Sequence, residues 1–284
     1  MPVGQTLERA AAAAQDPAKP RRHRMKRVFF GFWYLPIFVS LTIVSGLLCL
    51  LVSCFSRRAC RYITSQVWAR IVLSPARIKV DVRGREHLPA SGGFIIYANH
   101  RSLLDIPAVA EATGRQISWI AKAALGRIPV FGWVLMRVHM LVDRGGGSES
   151  ARKMLAEASE RLARGEIMAI FPEGTRNRTD EALLPFKKGA FILAKHTGAP
   201  LVPLAIFNSG RLWPGGSFLP RPGRLKTAVG RPVHVAKTDS LDRIAQEAQQ
   251  VLAQMYRQLE FDEPSASGAA PAGGPGLPSK ERQG

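Results

Sequence analysis

Phe94-Ile95-Ile96-Tyr97-Ala98-Asn99-His100-Arg101-Ser102-Leu103-Leu104-Asp105 decides how this chain is read. A β-rich apolar run meets a polar break at Asn99 to Ser102, and an apolar helical pattern starts at Leu103. The stretch therefore reads strand, loop, helix, with a histidine and an aspartate five residues apart where the strand ends. Side chains on one helix face sit three or four positions apart, so this pair meets only across a loop or turn. Histidine accepts a proton near neutral pH, and a neighbouring carboxylate fixes its tautomer and stabilises the imidazolium. Such a pair can activate a hydroxyl. Ser102-x-x-Asp105 also has the form of a helix capping box, so a structural role for these residues competes with the chemical one.

A second stretch has the same grammar. Glu166-Ile167-Met168-Ala169-Ile170-Phe171 is β-rich, and Pro172-Glu173-Gly174 breaks it, which predicts Glu173, Thr175 and Arg176 at another strand's C-terminal end. An ordinary exposed turn is the alternative. In an open α/β sheet, clusters at strand ends share the crevice where ligands bind. Further β-rich runs fall at 78–82, 93–98, 117–121, 138–142, 201–207 and 225–235. Helical patterns fall at 149–164, with Ser148 as N-cap and Gly165 as stop, and at 188–197 and 241–259. The alternation predicts an α/β fold with a mainly parallel central sheet flanked by helices.

The length of 284 residues suits one catalytic domain with extensions. Forty basic against 21 acidic residues give a net charge of +19, which fits nucleic acid or an anionic membrane. Residues 28–56 favour the membrane, because they carry no charged side chain. As one helix they would extend about 43 Å against roughly 30 Å of bilayer hydrocarbon, so the anchor tilts or folds back, with Pro36 or Gly46 near the bend. A cleaved signal peptide is the rival reading, but the run is longer than an h-region. Residues 62–77 mix Trp68, Ile71, Val72 and Leu73 with arginines, as an interfacial helix would. A core-packing helix has the same pattern. Cys49, Cys54 and Cys60 resemble neither a disulfide framework nor a metal set. The domain reading is a basic, disordered tail over 1–27, an anchor and interfacial helix over 28–77, a catalytic domain over 78–263 and a disordered tail over 264–284.

Taken together, Asn99-His100-x4-Asp105, Leu141-Val142-Asp143-Arg144, Phe171-Pro172-Glu173-Gly174-Thr175-Arg176 and Leu201-Val202-Pro203-Leu204 resemble, in order and spacing, the four motifs of the glycerophospholipid acyltransferase family. Its best-known members are the 1-acylglycerol-3-phosphate O-acyltransferases. Pro185-Phe186-Lys187-Lys188-Gly189-Ala190 is also similar to family members, and the resemblance covers roughly 80–235. His139 stands where the second motif often has glycine, and Asn177 where serine often follows the third.

The resemblance implies that His100 is the general base toward a lipid hydroxyl and that Asp105 orients it. It implies Arg144 and Arg176 as the acceptor's phosphate ligands, with Glu173, Gly174 and Thr175 beside them. Glu173 either orients its loop or contacts the acceptor. No Gly-x-Ser-x-Gly elbow is present, in keeping with direct attack on an activated thioester. The expected donor is acyl-CoA or acyl carrier protein, the acceptor lysophosphatidate, and no cofactor, metal or nucleic acid is expected. The expected location is the cytoplasmic face of the inner membrane. Another lysolipid, such as a lyso-ornithine lipid, remains open as acceptor. A non-enzymatic binder of anionic lipid or nucleic acid is the rival from a different class.

Overall fold

The structure is a computed structural model that describes residues 18–142 and 147–262, with side chains from residue 31 onward. Residues 1–17 of the first predicted tail, the whole of the second, and Asp143, Arg144, Gly145 and Gly146 fall outside the described residues, whereas residues 18–27 of the first tail are helical main chain.

The chain opens with α1 (Ala18–Ser53), then α2 (Arg57–Tyr62), a π-helical turn (Ile63–Val67) and α3 (Trp68–Leu73). There follow β1 (Ile78–Arg83), β2 (Phe94–Ala98), α4 (Asp105–Thr113) and β3 (Ile117–Lys122). A 3-10 turn (Ala123–Arg127) leads to α5 (Phe131–Val138), β4 (Met140–Val142), α6 (Gly147–Ala163), β5 (Ile167–Ile170) and α7 (Gly189–Thr197). β6 (Leu201–Phe207), α8 (Ser209–Leu212), β7 (Gly223–Val229) and α9 (Leu241–Phe261) complete it.

The sheet order is β1-β7-β6-β2-β5-β3-β4, and every pair is parallel except β6 with β7. All five residues of β2 and all seven of β6 are buried. Uninterrupted apolar strands are what a parallel sheet covered on both faces requires. One face packs on α3, α4 and Tyr34 of α1, and the other on α6, α7 and α9. Pro203 is tolerated inside β6 because it sits where β7 has already ended. Its carbonyl accepts Gly230 N–H at 2.9 Å, and a Cβ on Gly230 would lie 2.6 Å from the proline ring.

The N-terminal region differs from the sequence reading in three ways. Helix α1 runs unbroken through Pro36 and Gly46, and the chain turns back only at Cys54 to Ser56. Ser56 caps α2 by accepting Ala59 N–H at 3.1 Å. Cys49 and Cys60 are paired as a disulfide across that hairpin, with Cα atoms 4.9 Å apart, which corrects the expectation of no bridge. Residues 62–73 form a core-packing helix rather than an interfacial one. Ala69, Val72 and Leu73 are buried, and Gln66 donates to the carbonyls of Ala110 and Arg115 at 3.0 and 2.8 Å. Helix α1 itself is long and apolar over Gly31–Ser53, with a mean hydropathy of 2.5. Helix α6 begins at Gly147, so Ser148 lies within its first turn, whereas Gly165 ends the helix with φ +79°.

Candidate active site

β2 and β5 are parallel neighbours with Tyr97 beside Ile170, so the segments leaving their C-terminal ends emerge together. The His100 ring stacks on Phe171 with centroids 4.0 Å apart, and Phe171 stacks on Trp119 at 5.4 Å. The polar break predicted at Asn99 to Ser102 is the loop that folds His100 back toward α4. His100 Nδ1 lies 2.8 Å from Asp105 Oδ2. A carboxylate can only accept, so Nδ1 carries the proton and Nε2 is left with its lone pair.

Asp105 is fully buried as the first residue of α4, where the helix N-terminus favours a negative charge. Its Oδ2 also accepts Arg101 N–H at 2.6 Å and Ser102 N–H at 2.7 Å, while Oδ1 has no partner among the described residues. The capping-box reading is half met. Asp105 reaches back to Ser102 N–H, but Ser102 Oγ donates to Trp213 O at 2.8 Å and accepts Leu104 N–H at 3.3 Å.

Glu173 is buried, and both its oxygens are committed to main chain. Oε1 accepts His100 N–H at 2.7 Å and Oε2 accepts Leu184 N–H at 2.9 Å. Of the two roles open to it in the sequence, this geometry is that of a loop brace. Burial raises its carboxyl pKa, and the two amide hydrogen bonds oppose that shift.

Four supports were not read from the sequence. The Asn99 amide exchanges two 2.8 Å hydrogen bonds with Ile206, fixing the loop to β6. Asn177 donates its N–H to His100 O at 2.6 Å and accepts Thr179 N–H at 2.9 Å. Arg101 reaches the carbonyls of Thr179 and Glu181, each at 2.7 Å. Phe171 seats the imidazole. Apart from the local Asn177–Thr179 bond, these are long-range partners that no local pattern announces.

His100 opens on a cavity of about 590 Å3. Its polar wall includes Gly174, Thr175, Arg176, Lys122 and Lys187, and its apolar wall is supplied by α1, β3 and α5. Gly174 adopts φ +70°, a conformation that glycine enters without strain, where the main chain turns toward the cavity. Arg176 is half-buried and in no ion pair among the described residues, whereas Lys188 is paired with Asp242 at 2.6 Å. The structure therefore brings His100, Asp105, Glu173, Gly174, Thr175 and Arg176 together, and Arg144 lies outside the described residues.

His139 is fully buried on the cavity wall, and its Nδ1 accepts Trp119 N–H at 3.2 Å. Desolvation first, then the charges of Arg161 and Arg61, push its pKa down to about 3. A histidine held neutral in the fold contributes stability that is fully present above its unfolded pKa of about 6.5 and is lost as pH falls toward the folded value. The wild type is expected to lose about 1 kcal/mol between pH 7.5 and 5.5 through this group alone. His139→Asn, which keeps an acceptor for Trp119, should lack that component. Denaturant unfolding in mild detergent at the two pH values checks it, and identical pH slopes for the two proteins would refute the assignment.

Residues 79–207 match the Acyltransferase family model. The chain is 33% identical over 187 residues to the chloroplastic 1-acyl-sn-glycerol-3-phosphate acyltransferase BAT2 of Brassica napus, covering 65% of this chain and 54% of that one. It is 34% identical over 169 residues to the 1-acyl-sn-glycerol-3-phosphate acyltransferase of Bacillus subtilis, covering 59% of this chain and 79% of that one. The crystal structure of the 1-acyl-sn-glycerophosphate (LPA) acyltransferase from Thermotoga maritima superposes with a TM-score of 0.68 and 26% identity, over 84% of this chain and 97% of that one. The chain spans about half the length of the chloroplast relatives it matches. With the fold, the motif order and these likenesses in agreement, the chain belongs to the acyltransferase family that includes the 1-acyl-sn-glycerol-3-phosphate acyltransferases.

Proposed function

We propose that the chain transfers a fatty acyl group from acyl-CoA or acyl carrier protein to the free hydroxyl of 1-acylglycerol-3-phosphate, giving phosphatidate. The observation that carries this reading is the His100–Asp105 pair, 2.8 Å apart, at the mouth of a cavity that is basic on one wall and apolar on the other. His100 Nε2 takes the hydroxyl proton as the oxygen attacks the thioester carbonyl. The tetrahedral adduct expels the thiolate, which takes the proton back from the imidazolium, and Asp105 stabilises the imidazolium in between. The acyl group passes straight to the acceptor. No covalent enzyme intermediate or further cofactor is needed, because the thioester is already activated.

Arg176, with Arg144 from the second motif, binds the acceptor phosphate, and the loop of Gly174 and Thr175 lets the main chain approach it. The apolar wall receives an acyl chain. Helix α1 lies against the domain for much of its length, from Gly31 at Leu219 to Gly46 at Val130, and shows Trp33, Val44 and Leu51 outward. That arrangement suits a helix held in one leaflet, on the cytoplasmic face where soluble thioester donors are found.

A matrix of acyl-CoA and acyl carrier protein donors against lysophosphatidate, lyso-ornithine lipid and neutral lysolipids tests the proposal on the purified full chain. The expected result is phosphatidate formation as the fastest reaction. Faster acylation of another lysolipid would overturn the acceptor, and no turnover of any thioester would overturn the activity.

A further inference from the structure

We infer that residues 123–138, the 3-10 turn and α5, form a second membrane contact seated in the headgroup region of an anionic leaflet beside α1. On α5, Val134, Leu135 and Val138 point into the protein. At 100° per residue, Trp133, Met136 and Arg137 occupy the opposite arc. Trp133 and Met136 are 50% and 57% exposed, and Leu125 and Ile128 of the preceding turn are also exposed. Large apolar side chains grouped in this way mark a contact surface rather than the scattered exposure usual on a soluble protein.

The backbone holds this face rigidly. Pro129 O accepts Phe131 N–H at 2.7 Å around Val130, whose φ of +61° and ψ of −61° make a γ-turn that a β-branched residue rarely enters. A Cβ at Gly132 would lie 2.2 Å from Gly126 O, so the turn and the helix are in close backbone contact. Strain retained at a surface position points to a use for the shape it enforces.

Charge and continuity select the occupant. Residues 112–142 contain no aspartate or glutamate. Lys122, Arg127 and Arg137 are exposed there, and none is in an ion pair among the described residues. An apolar face rimmed only by cations complements anionic headgroups, to which each basic residue near the surface is attracted. The patch also adjoins α1, since Val134 and Val138 pack on Cys49, and Leu47, Leu48 and Leu51 of α1 are exposed. Leu125, Val130 and Phe131 line the cavity together with Ile43 and Gly46, so the lipid contact borders the chamber that opens on His100.

The test measures depth in the bilayer and needs no turnover, so it stands apart from the acyl-transfer reading. Nitroxide labels are placed singly by Met136→Cys, Leu47→Cys and Lys237→Cys in the full chain carrying Cys54→Ser, on vesicles of phosphatidylglycerol and phosphatidylcholine. Lys237 precedes α9, on the face of the sheet away from α1, and is the aqueous control. The expected oxygen-to-nickel-chelate collision ratio is about tenfold higher at 136 and 47 than at 237. Adding Arg127→Glu and Arg137→Glu should bring the ratio at 136 down to the control while leaving 47 unchanged. An aqueous ratio at 136 with 47 in lipid would overturn the inference and leave the α1 contact standing. Aqueous ratios at both would overturn both. Shielding of 136 from oxygen and nickel alike would mean a protein partner and would also overturn it, and an unchanged depth after charge reversal would remove the anionic leaflet as the occupant.

Discussion

His100→Ala is expected to lower kcat about 10³-fold, within the range that removal of a positioned general base produces. The substitution isolates the imidazole unusually well. His100 N–H still donates to Glu173 Oε1, His100 O still accepts Asn177 N–H, and Asp105 keeps its bonds to Arg101 and Ser102. The loop geometry therefore survives, and what disappears is the ring stacked on Phe171. The residues proposed to hold the acceptor's phosphate and the apolar cavity wall are untouched, so KM should move little and the loss should appear in kcat. Initial rates of phosphatidate formation at saturating donor and acceptor decide the matter. A folded variant that keeps more than about a tenth of wild-type kcat would remove His100 from the proton transfer.

Much of this architecture was legible because it is built from local signals. Apolar runs such as 94–97 and 201–207, short and bounded by turn residues, read as strands covered on both faces, and all seven predicted runs contain strands. The boundaries slipped where tertiary contacts decide them. β7 stops at Val229 although the β-rich pattern continues to 235, because the chain bulges around Pro203 and returns only as the bridge from Val233 to Leu201. Helix α5 buries Val134, Leu135 and Val138 at a helical spacing, yet Trp133 and Met136 on its outer side blur that period, and Gly126, Pro129 and Gly132 around its start punctuate the stretch like a loop. The Cys49–Cys60 bridge depends on where the chain turns back, and composition cannot say whether that is at Pro36, Gly46 or Ser56. The His100–Asp105 pair was visible because both partners lie within one strand-loop-helix unit. Its supports were not, since Asn99 reaches Ile206 and Arg101 reaches Thr179, more than seventy residues away in each case.

Asp105 separates charge from geometry. In Asp105→Asn, the amide oxygen is expected to take the position of Oδ2, because turning the amide nitrogen there would set it against the N–H groups of Arg101 and Ser102. The oxygen then still accepts from His100 Nδ1 and preserves the tautomer, and the nitrogen replaces an Oδ1 that had no partner among the described residues. Stability should therefore stay within about 1 kcal/mol of wild type, one unsatisfied buried group having replaced another. The negative charge that stabilises the imidazolium is gone, so kcat should fall about 10²-fold.

Asp105→Ala removes the shared acceptor altogether. Two buried main-chain N–H groups lose their partner at about 1–3 kcal/mol each, and α4 loses its N-terminal charge at about 0.3–1 kcal/mol. That variant should be destabilised by about 3 kcal/mol and should lose at least as much activity as His100→Ala, since the ring is then free to rotate off Phe171. Unfolding midpoints in detergent and kcat, measured on the same preparations, give the comparison. If asparagine destabilises the fold as much as alanine does, Oδ2 is not the common acceptor. If asparagine leaves kcat untouched, the buried charge does not support the proton transfer, and Asp105 serves as a positioning residue only.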